Sequence, residues 1–121
     1  MEQKVKLFDS ELQVMKLLWK DGDTTAKDLA LSLNKKIGWN KTTTYTIINK
    51  CISKGAITRS ESGFMCHPEI THEQAQEYET TELINKMYDG SADKLVASIL
   101  CSKRLMADEI TRLKELVKQI K

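Results

Sequence analysis

The sequence predicts a mainly α-helical fold with one short β-hairpin, and three observations support this fold class. Apolar residues recur at the spacing of amphipathic helices in six segments of the 121-residue chain. Between residues 56 and 67, two short runs of strand-forming residues instead flank a polar turn. The single proline, and the lack of repeats or low-complexity segments, exclude a disordered or solenoid chain. The length suits one compact domain, or a small domain with an appended interaction segment.

The first two helices are predicted from apolar spacing and from capping residues. The first runs from about Ser10 to Lys20, with Asp9 as its N-cap. The second runs from about Thr25 to Lys36, with Thr24 or Thr25 as its cap, and Gly38 takes a left-handed conformation in the turn that follows. Their expected inward faces consist of Leu12, Val14, Met15, Leu18 and Trp19, and of Ala26, Leu29, Ala30, Leu33 and Ile37.

The third helix, from about Lys41 to Lys54, has an outward face typical of DNA recognition. Asn40 is its predicted N-cap, and Gly55 ends it. Its threonines are poor helix formers, but short hydroxyl and amide side chains can reach base edges and phosphates. The alternative is an exposed face without a binding role. The inward residues are Thr44, Ile47, Ile48, Cys51 and Ile52. The outward residues are Thr42, Tyr45, Thr46, Asn49 and Ser53, flanked by Lys41 and Lys50.

The distribution of charge also favours DNA binding by the region around the third helix, although the net charge of +2 says little about binding partners. Residues 1–70 contain 11 basic and 8 acidic side chains, whereas residues 71–121 contain 8 and 9. The 32 residues between Asp28 and Glu61 include six cations and no carboxylate. Such a segment is a candidate phosphate-binding surface, and a set of solvated lysines is the alternative. The six cations are Lys35, Lys36, Lys41, Lys50, Lys54 and Arg59.

The residues after the third helix predict a β-hairpin. Ala56 to Ser60 forms the first strand, and Phe64 to His67 forms the returning strand before Pro68. Three helices followed by a hairpin is the element order of a winged helix-turn-helix domain, in which the hairpin is the wing. Arg59 is then the expected phosphate contact of the wing, unless the hairpin only covers the core. We therefore predict a DNA-binding domain over residues 1–70; a winged helix that docks a protein instead is the alternative.

Three further amphipathic helices predict a dimerisation domain over residues 71–121. The first covers Thr71 to Met87; Asp89-Gly90 ends it, and Ser91 caps the next helix. The last runs from about Ala107 to Ile120. These helices could pack on their own domain, but a second copy of the chain explains them more readily. The residues expected at the dimer interface are Leu95, Val96, Ile99, Leu100, Ile110, Leu113, Leu116, Val117 and Ile120.

Catalysis, metal binding and membrane insertion are not predicted. The chain has no phosphate-binding glycine loop, nucleophile elbow or paired histidine ligands, so we expect neither an enzyme nor a cofactor. Cys51, Cys66 and Cys101 are odd in number and widely spaced, which favours free thiols in a cytoplasmic protein. A metal- or redox-responsive repressor is the alternative. No apolar run approaches the ~20 residues that cross a bilayer, and Met1 to Lys4 lack the apolar core of a secretion signal.

Several segments, in this order along the chain, resemble the penicillinase-repressor (BlaI/MecI) family. The segment from Leu12 to Trp19 is similar to that family's first helix, and the segment from Trp39 to Lys50 is similar to its recognition helix. Lys54 to Ile57 matches the exit from that helix. Tyr88 to Ser91, and Asp108 to Ile110, resemble its C-terminal half. The similarity extends over nearly the whole chain.

The resemblance implies a winged-helix repressor that binds palindromic, double-stranded operator DNA as a homodimer and controls β-lactam resistance or related genes. It also implies relief by proteolytic cleavage in the C-terminal half, through a membrane sensor-protease or a protease that the sensor activates. Carried over by position, the cleaved bond is Ser98-Ile99. The implied DNA contacts are Thr42, Thr43, Tyr45, Thr46 and Asn49, with Lys41 and Arg59 on the backbone.

Overall fold

The computed structural model describes residues 5–120, so the N-terminal residues considered for a secretion signal lie outside the described part. Within it, six α-helices and three short strands confirm the mainly helical fold class. The chain divides into two compact units inside the fourth helix, between Thr80 and Thr81. The assignment of separate roles to residues 1–70 and 71–121 stays a prediction. The elements are α1 (Asp9–Asp21), β1 (Thr24–Thr25), α2 (Ala26–Ile37), α3 (Lys41–Ser53), β2 (Ile57–Arg59), β3 (Met65–Pro68), α4 (His72–Met87), α5 (Ala92–Cys101) and α6 (Ala107–Lys118).

The three strands form one antiparallel sheet in the order β1-β3-β2. Strand β2 pairs with β3, with Arg59 opposite Cys66, which confirms the predicted hairpin. Strand β1 places Thr24 on the other side of Cys66 and is an addition to the predicted elements. Phe64 does not begin the returning strand as predicted, because its φ of 50° places it in the left-handed turn before β3. Pro68, expected just after the strand, is instead its last residue.

The core of the first unit lies where α1, α2 and α3 meet the sheet. Leu18, Leu29, Ile48 and Ile57 from these elements are each 1% exposed or less. Burying one such side chain contributes about 1.5–3 kcal/mol to folding. This packing holds the inward face of α3 in the core and thereby directs its opposite face to solvent.

Side-chain caps set where the first three helices begin. The Thr25 hydroxyl accepts a hydrogen bond from the Asp28 amide at 3.1 Å, which confirms it as the cap of α2. The N-cap of α1 is Phe8, so the prediction of Asp9 is wrong. The reason is the Glu11 carboxylate, which accepts a hydrogen bond from the Phe8 amide at 2.7 Å and fixes the helix start one residue earlier.

Two predicted apolar positions do not lie where periodicity placed them. Ile37 ends α2 and is 43% exposed, because Leu33, one turn earlier, is the last residue of that face in the core. Ile120 lies beyond the end of α6 at Lys118. Its amide donates to the Val117 carbonyl at 3.1 Å, a tight turn that does not continue the α-helix.

The two helices that lie wholly in the second unit, α5 and α6, contain no buried side chains among their described residues. Asp89 and Gly90 both adopt positive φ angles and end α4, as predicted. Ser91 is the N-cap residue of α5, but its hydroxyl donates to the Asp93 carboxylate and does not cap a backbone amide. None of the helices between residues 5 and 120 is long and apolar enough to cross a membrane.

Candidate nucleic-acid interface

The turn between α2 and α3 fixes the direction in which α3 begins. Gly38 has a φ of 73° and donates its amide to the Asn34 carbonyl at 3.0 Å, which closes the end of α2. The Asn34 side chain then donates to the Trp39 carbonyl at 2.9 Å. The Asn40 side chain accepts from the Thr43 amide at 2.7 Å and begins α3, as predicted. The two helices therefore form a helix-turn-helix held by local hydrogen bonds.

Helix α3 has one buried and one exposed face, divided as the periodicity predicts. Thr44, Ile48 and Cys51 are fully buried. Among the predicted DNA contacts, Thr43 and Tyr45 are half-buried. The exposed side chains of α3 are Lys41, Thr42, Thr46, Asn49, Lys50 and Ser53. This exposed set is called the α3 surface below.

The α3 surface is electrostatically suited to a polyanion. It contains two lysines and no carboxylate, and the first turn of α3 has no acidic residue. The amides at a helix N-terminus and the helix dipole both favour negative charge nearby. A phosphate backbone that approaches this end of α3 would therefore meet positive potential from Lys41 and from the helix itself.

Two polar side chains in the middle of α3 have the chemistry of base recognition. The Thr46 hydroxyl donates its proton to the Thr42 carbonyl at 2.9 Å, which leaves its lone pairs available to accept. Amino groups of adenine and cytosine are donors in the major groove. Asn49 is exposed one turn later, and its amide can both donate and accept, the combination that matches adenine.

Two aromatic residues connect α3 to the hairpin. The rings of Tyr45 and Phe64 lie 5.9 Å apart at an interplanar angle of 63°. Lys41 Nζ is 5.6 Å from the centroid of the Tyr45 ring, and the Arg59 guanidinium carbon is 4.5 Å from that of Phe64. We call Tyr45 and Phe64 the aromatic bridge. It brings three predicted DNA contacts together through Phe64, a residue that the sequence marked only as part of a strand.

Lys54 does not belong to the predicted phosphate surface. Its ammonium lies 2.6 Å from the carboxylate of Glu11, which is 1% exposed. The same ammonium donates to the Lys6 carbonyl at 2.9 Å and lies 4.1 Å from the centroid of the Phe8 ring. Lys54 therefore neutralises the buried charge of Glu11. The prediction from sequence is wrong for Lys54 because this partner is distant in sequence, so a count of local charges does not include it. The other five cations of the acid-free segment are exposed.

The cysteines and His67 are not part of the α3 surface. Burial raises the pKa of Cys51 to about 12 and also raises the pKa of Cys66, whereas Cys101 is exposed. The imidazole of His67 lies 2.7 Å from the Asp23 carboxylate, a hydrogen bond that raises its pKa. Across residues 5–120, no three His, Cys, Asp or Glu side chains are grouped to hold a metal ion.

The predicted dimerisation residues lie on α5, on α6 and, in the case of Ile120, just beyond the end of α6. All of them are exposed except Leu95, which is half-buried, and Val117 is 65% exposed. The predicted cleavage site lies inside α5, where the Tyr88 hydroxyl donates to the Ser98 hydroxyl at 3.1 Å and the following Ile99 is exposed. The predicted cleavage site therefore lies on the same helix as four of the predicted dimerisation residues, Leu95, Val96, Ile99 and Leu100.

Comparison with known proteins gives matches over both units. A family model described as penicillinase repressor matches residues 7–119. The penicillinase repressor of Bacillus licheniformis is 27% identical over 123 residues, covering 100% of this chain and 96% of that protein. The methicillin resistance regulatory protein MecI of Staphylococcus aureus (strain N315) is 25% identical, covering 93% of each.

Two solved structures match part of the chain. The solution structure of the DNA-binding domain of the repressor BlaI superimposes with a TM-score of 0.55 at 29% identity, covering 61% of this chain and 93% of that one. The monomeric form of B. licheniformis BlaI in complex with the blaP half-operator gives a TM-score of 0.53 at 28% identity, with the same coverage of 61% and 93%. The predicted winged-helix fold is confirmed.

Proposed function

The chain belongs to the penicillinase repressor family, and on this basis we propose that it represses transcription by binding palindromic operator DNA as a homodimer. Family membership confirms the resemblance on which the prediction depended, and the family is one of repressors, not enzymes. We further propose that its targets are β-lactamase or related resistance genes. MecI of Staphylococcus aureus is named as a regulator of methicillin resistance, which supports a role of this kind.

The observation that carries the proposal is the α3 surface. An α-helix fits the major groove of B-DNA, and the exposed side of α3 consists of short polar side chains and lysines without a carboxylate. In the proposed complex Thr46 and Asn49 contact base edges. Lys41, Lys50 and Arg59 contact phosphates and add a salt-dependent, sequence-independent contribution to affinity.

Dimerisation is proposed for the second unit because large apolar side chains of α5 and α6 are exposed in the described part of the chain. Exposed Val96 and Leu100 on α5, and Leu116 and Val117 on α6, make an apolar surface of the kind that marks association. A two-fold axis there would present two α3 helices to half-sites one helical turn apart, about 34 Å. Linking two half-sites increases affinity by a factor on the order of 10²–10⁴.

Relief of repression is proposed to follow cleavage at Ser98-Ile99. A protease needs an extended substrate, so α5 must open locally before the bond is cut. Helix α5 has no buried residue, which makes such opening inexpensive in free energy. Cleavage would separate α6 from the winged helix and remove the gain in affinity that dimerisation provides. The protease is a membrane sensor or an enzyme that the sensor activates.

Substitutions in α3 test the DNA contacts. Thr46→Ala and Asn49→Ala should each weaken operator binding by about 1–3 kcal/mol in footprinting titrations and leave affinity for random DNA unchanged. Thr111→Ala in α6 is the matched control, because the Thr111 hydroxyl makes the same bond to the carbonyl four residues earlier, at 3.0 Å. An unchanged ratio of operator to random affinity in both α3 variants would show that these residues do not recognise bases.

A charge in the apolar surface of α6 tests the dimer. Leu116→Lys should give a monomer in sedimentation velocity and reduce affinity for the full operator about 10²–10⁴-fold, with half-site affinity unchanged. Lys114→Ala, an exposed change on the same helix, is the control and should remain dimeric. A dimer that survives Leu116→Lys would place the interface elsewhere.

A further inference from the structure

Phe64 occupies a backbone conformation that a bulky residue rarely adopts. Its φ is 50°, directly after Gly63 at 71°. Glycine or asparagine adopts this left-handed region with less strain than phenylalanine. A strained residue that persists at a binding surface indicates that its side chain has a role there. The ring of Phe64, and not the turn, accounts for phenylalanine at this position.

Backbone hydrogen bonds hold the hairpin together and anchor it next to α2. The Phe64 carbonyl accepts a hydrogen bond from the Ala26 amide at 3.0 Å, and the Ser60 amide donates to the Met65 carbonyl at 2.9 Å. Both bonds use backbone atoms, so they survive a change of the side chain. The ring packs against the core of the first unit, and it also contacts Tyr45 of α3 and the Arg59 guanidinium.

We propose that Phe64 is a positioning residue for DNA binding, which holds Arg59 of the hairpin at a fixed distance from α3 through Tyr45. The inference rests on the proposed function. Arg59 is exposed and, without the ring, would sample many rotamers; ordering it before binding lowers the entropy lost when it contacts a phosphate. Lys41, above the other ring of the aromatic bridge, is held in the same way.

The geometry gives this proposal a specific consequence. If Phe64 acts through Arg59, its contribution to DNA affinity must disappear when Arg59 is absent. If it acts only by packing in the first unit, its contribution is independent of Arg59. A double-mutant cycle with these two residues separates the two roles, because coupled residues are non-additive whereas independent ones add.

The test measures affinity of the full chain for random duplex DNA at several salt concentrations. Phe64→Leu should weaken binding about 2–5-fold, the size expected for an exposed cation–π contact, and lower the salt slope by up to about 1. Phe64→Tyr keeps the ring and should restore wild-type affinity. In an Arg59→Ala background, Phe64→Leu should change affinity less than about 1.5-fold, since additivity fails for coupled residues.

Three results would overturn the proposal: the same loss from Phe64→Leu with and without Arg59, wild-type binding by Phe64→Leu, or no restoration by Phe64→Tyr. Thermal unfolding by circular dichroism checks each variant, and Phe64→Met, whose unbranched side chain adapts to irregular gaps, replaces Phe64→Leu if the latter unfolds. If the wild type itself showed no salt-dependent DNA binding, the proposed function would fail instead, so the two failures are distinguishable.

Discussion

Replacing Lys54 with methionine should destabilise the first unit, whereas the same replacement at Lys50 should not. Both lysines lie in the acid-free segment, and both would be assigned to phosphate binding on charge alone. Only Lys54 faces a buried carboxylate, that of Glu11, at 2.6 Å. Lys50 is exposed, and its ammonium makes no ion pair or hydrogen bond with any residue between 5 and 120.

The magnitude follows from the burial of the two partners. Removing one partner of a buried ion pair costs about 3–5 kcal/mol, because the remaining charge is uncompensated. Glu11 is 1% exposed but the Lys54 side chain is 28% exposed, so water partly replaces the ammonium. We therefore expect Lys54→Met to lower the free energy of unfolding by about 2–3 kcal/mol. Lys50→Met, an exposed change, should stay within about 0.5 kcal/mol of wild type.

Urea unfolding followed by circular dichroism measures both variants, and DNA titrations give the complementary result. Lys50→Met should lower the salt slope by about 1, whereas folded Lys54→Met should keep the wild-type slope. Glu11→Gln combined with Lys54→Met should recover part of the lost stability, since no charge is then buried. Equal stability of the two single variants, or a reduced slope only in Lys54→Met, would refute the assignment.

Two further predictions concern titratable side chains. In the folded protein at pH 8, only Cys101 should react with a thiol reagent. Cys51 and Cys66 should react only in urea, because burial raises the pKa of both thiols. Mass spectrometry locates the label, and labelling of Cys51 or Cys66 in the native state would contradict this prediction. The hydrogen bond to Asp23 raises the pKa of His67, so its stabilisation is complete below the ordinary histidine pKa and is lost as pH rises through the folded value. In NMR titrations Asp23→Asn should lower the pKa of His67, and an unchanged value would show that the pair does not form.

Much of the first unit could be predicted from local sequence because α2 and α3 begin after residues whose side chains cap them. Asn40 and Thr25 each accept the backbone hydrogen bond that their type predicts. The buried side of α3 follows from spacing alone, since Ile48 lies about one turn and Cys51 about two turns after Thr44. Strand β1 could not be predicted in this way, because two residues carry no periodicity and their pairing partners lie about 40 positions further on.

The parts of the site that the sequence did not predict depend on contacts between distant residues. Glu11 and Lys54 are 43 positions apart, and only the fold shows that one charge is buried beside the other. Glu11 did carry a local indication, since a glutamate three residues after Phe8 is the second half of a capping box. Phe64 had no such indication, because a phenylalanine before Met65 is typical of a strand, and its left-handed turn is set by pairing of the hairpin.

The central claim is that α3 and the hairpin, and not the C-terminal helices, contact operator DNA. Titrating the ¹⁵N-labelled chain with a duplex half-site tests this most directly, through changes in amide chemical shifts. The largest changes should lie at residues 41–50 and around Arg59, near the DNA-facing side chains of α3 and the hairpin. Changes confined to α5 and α6, or none at salt concentrations that permit phosphate binding, would contradict the account.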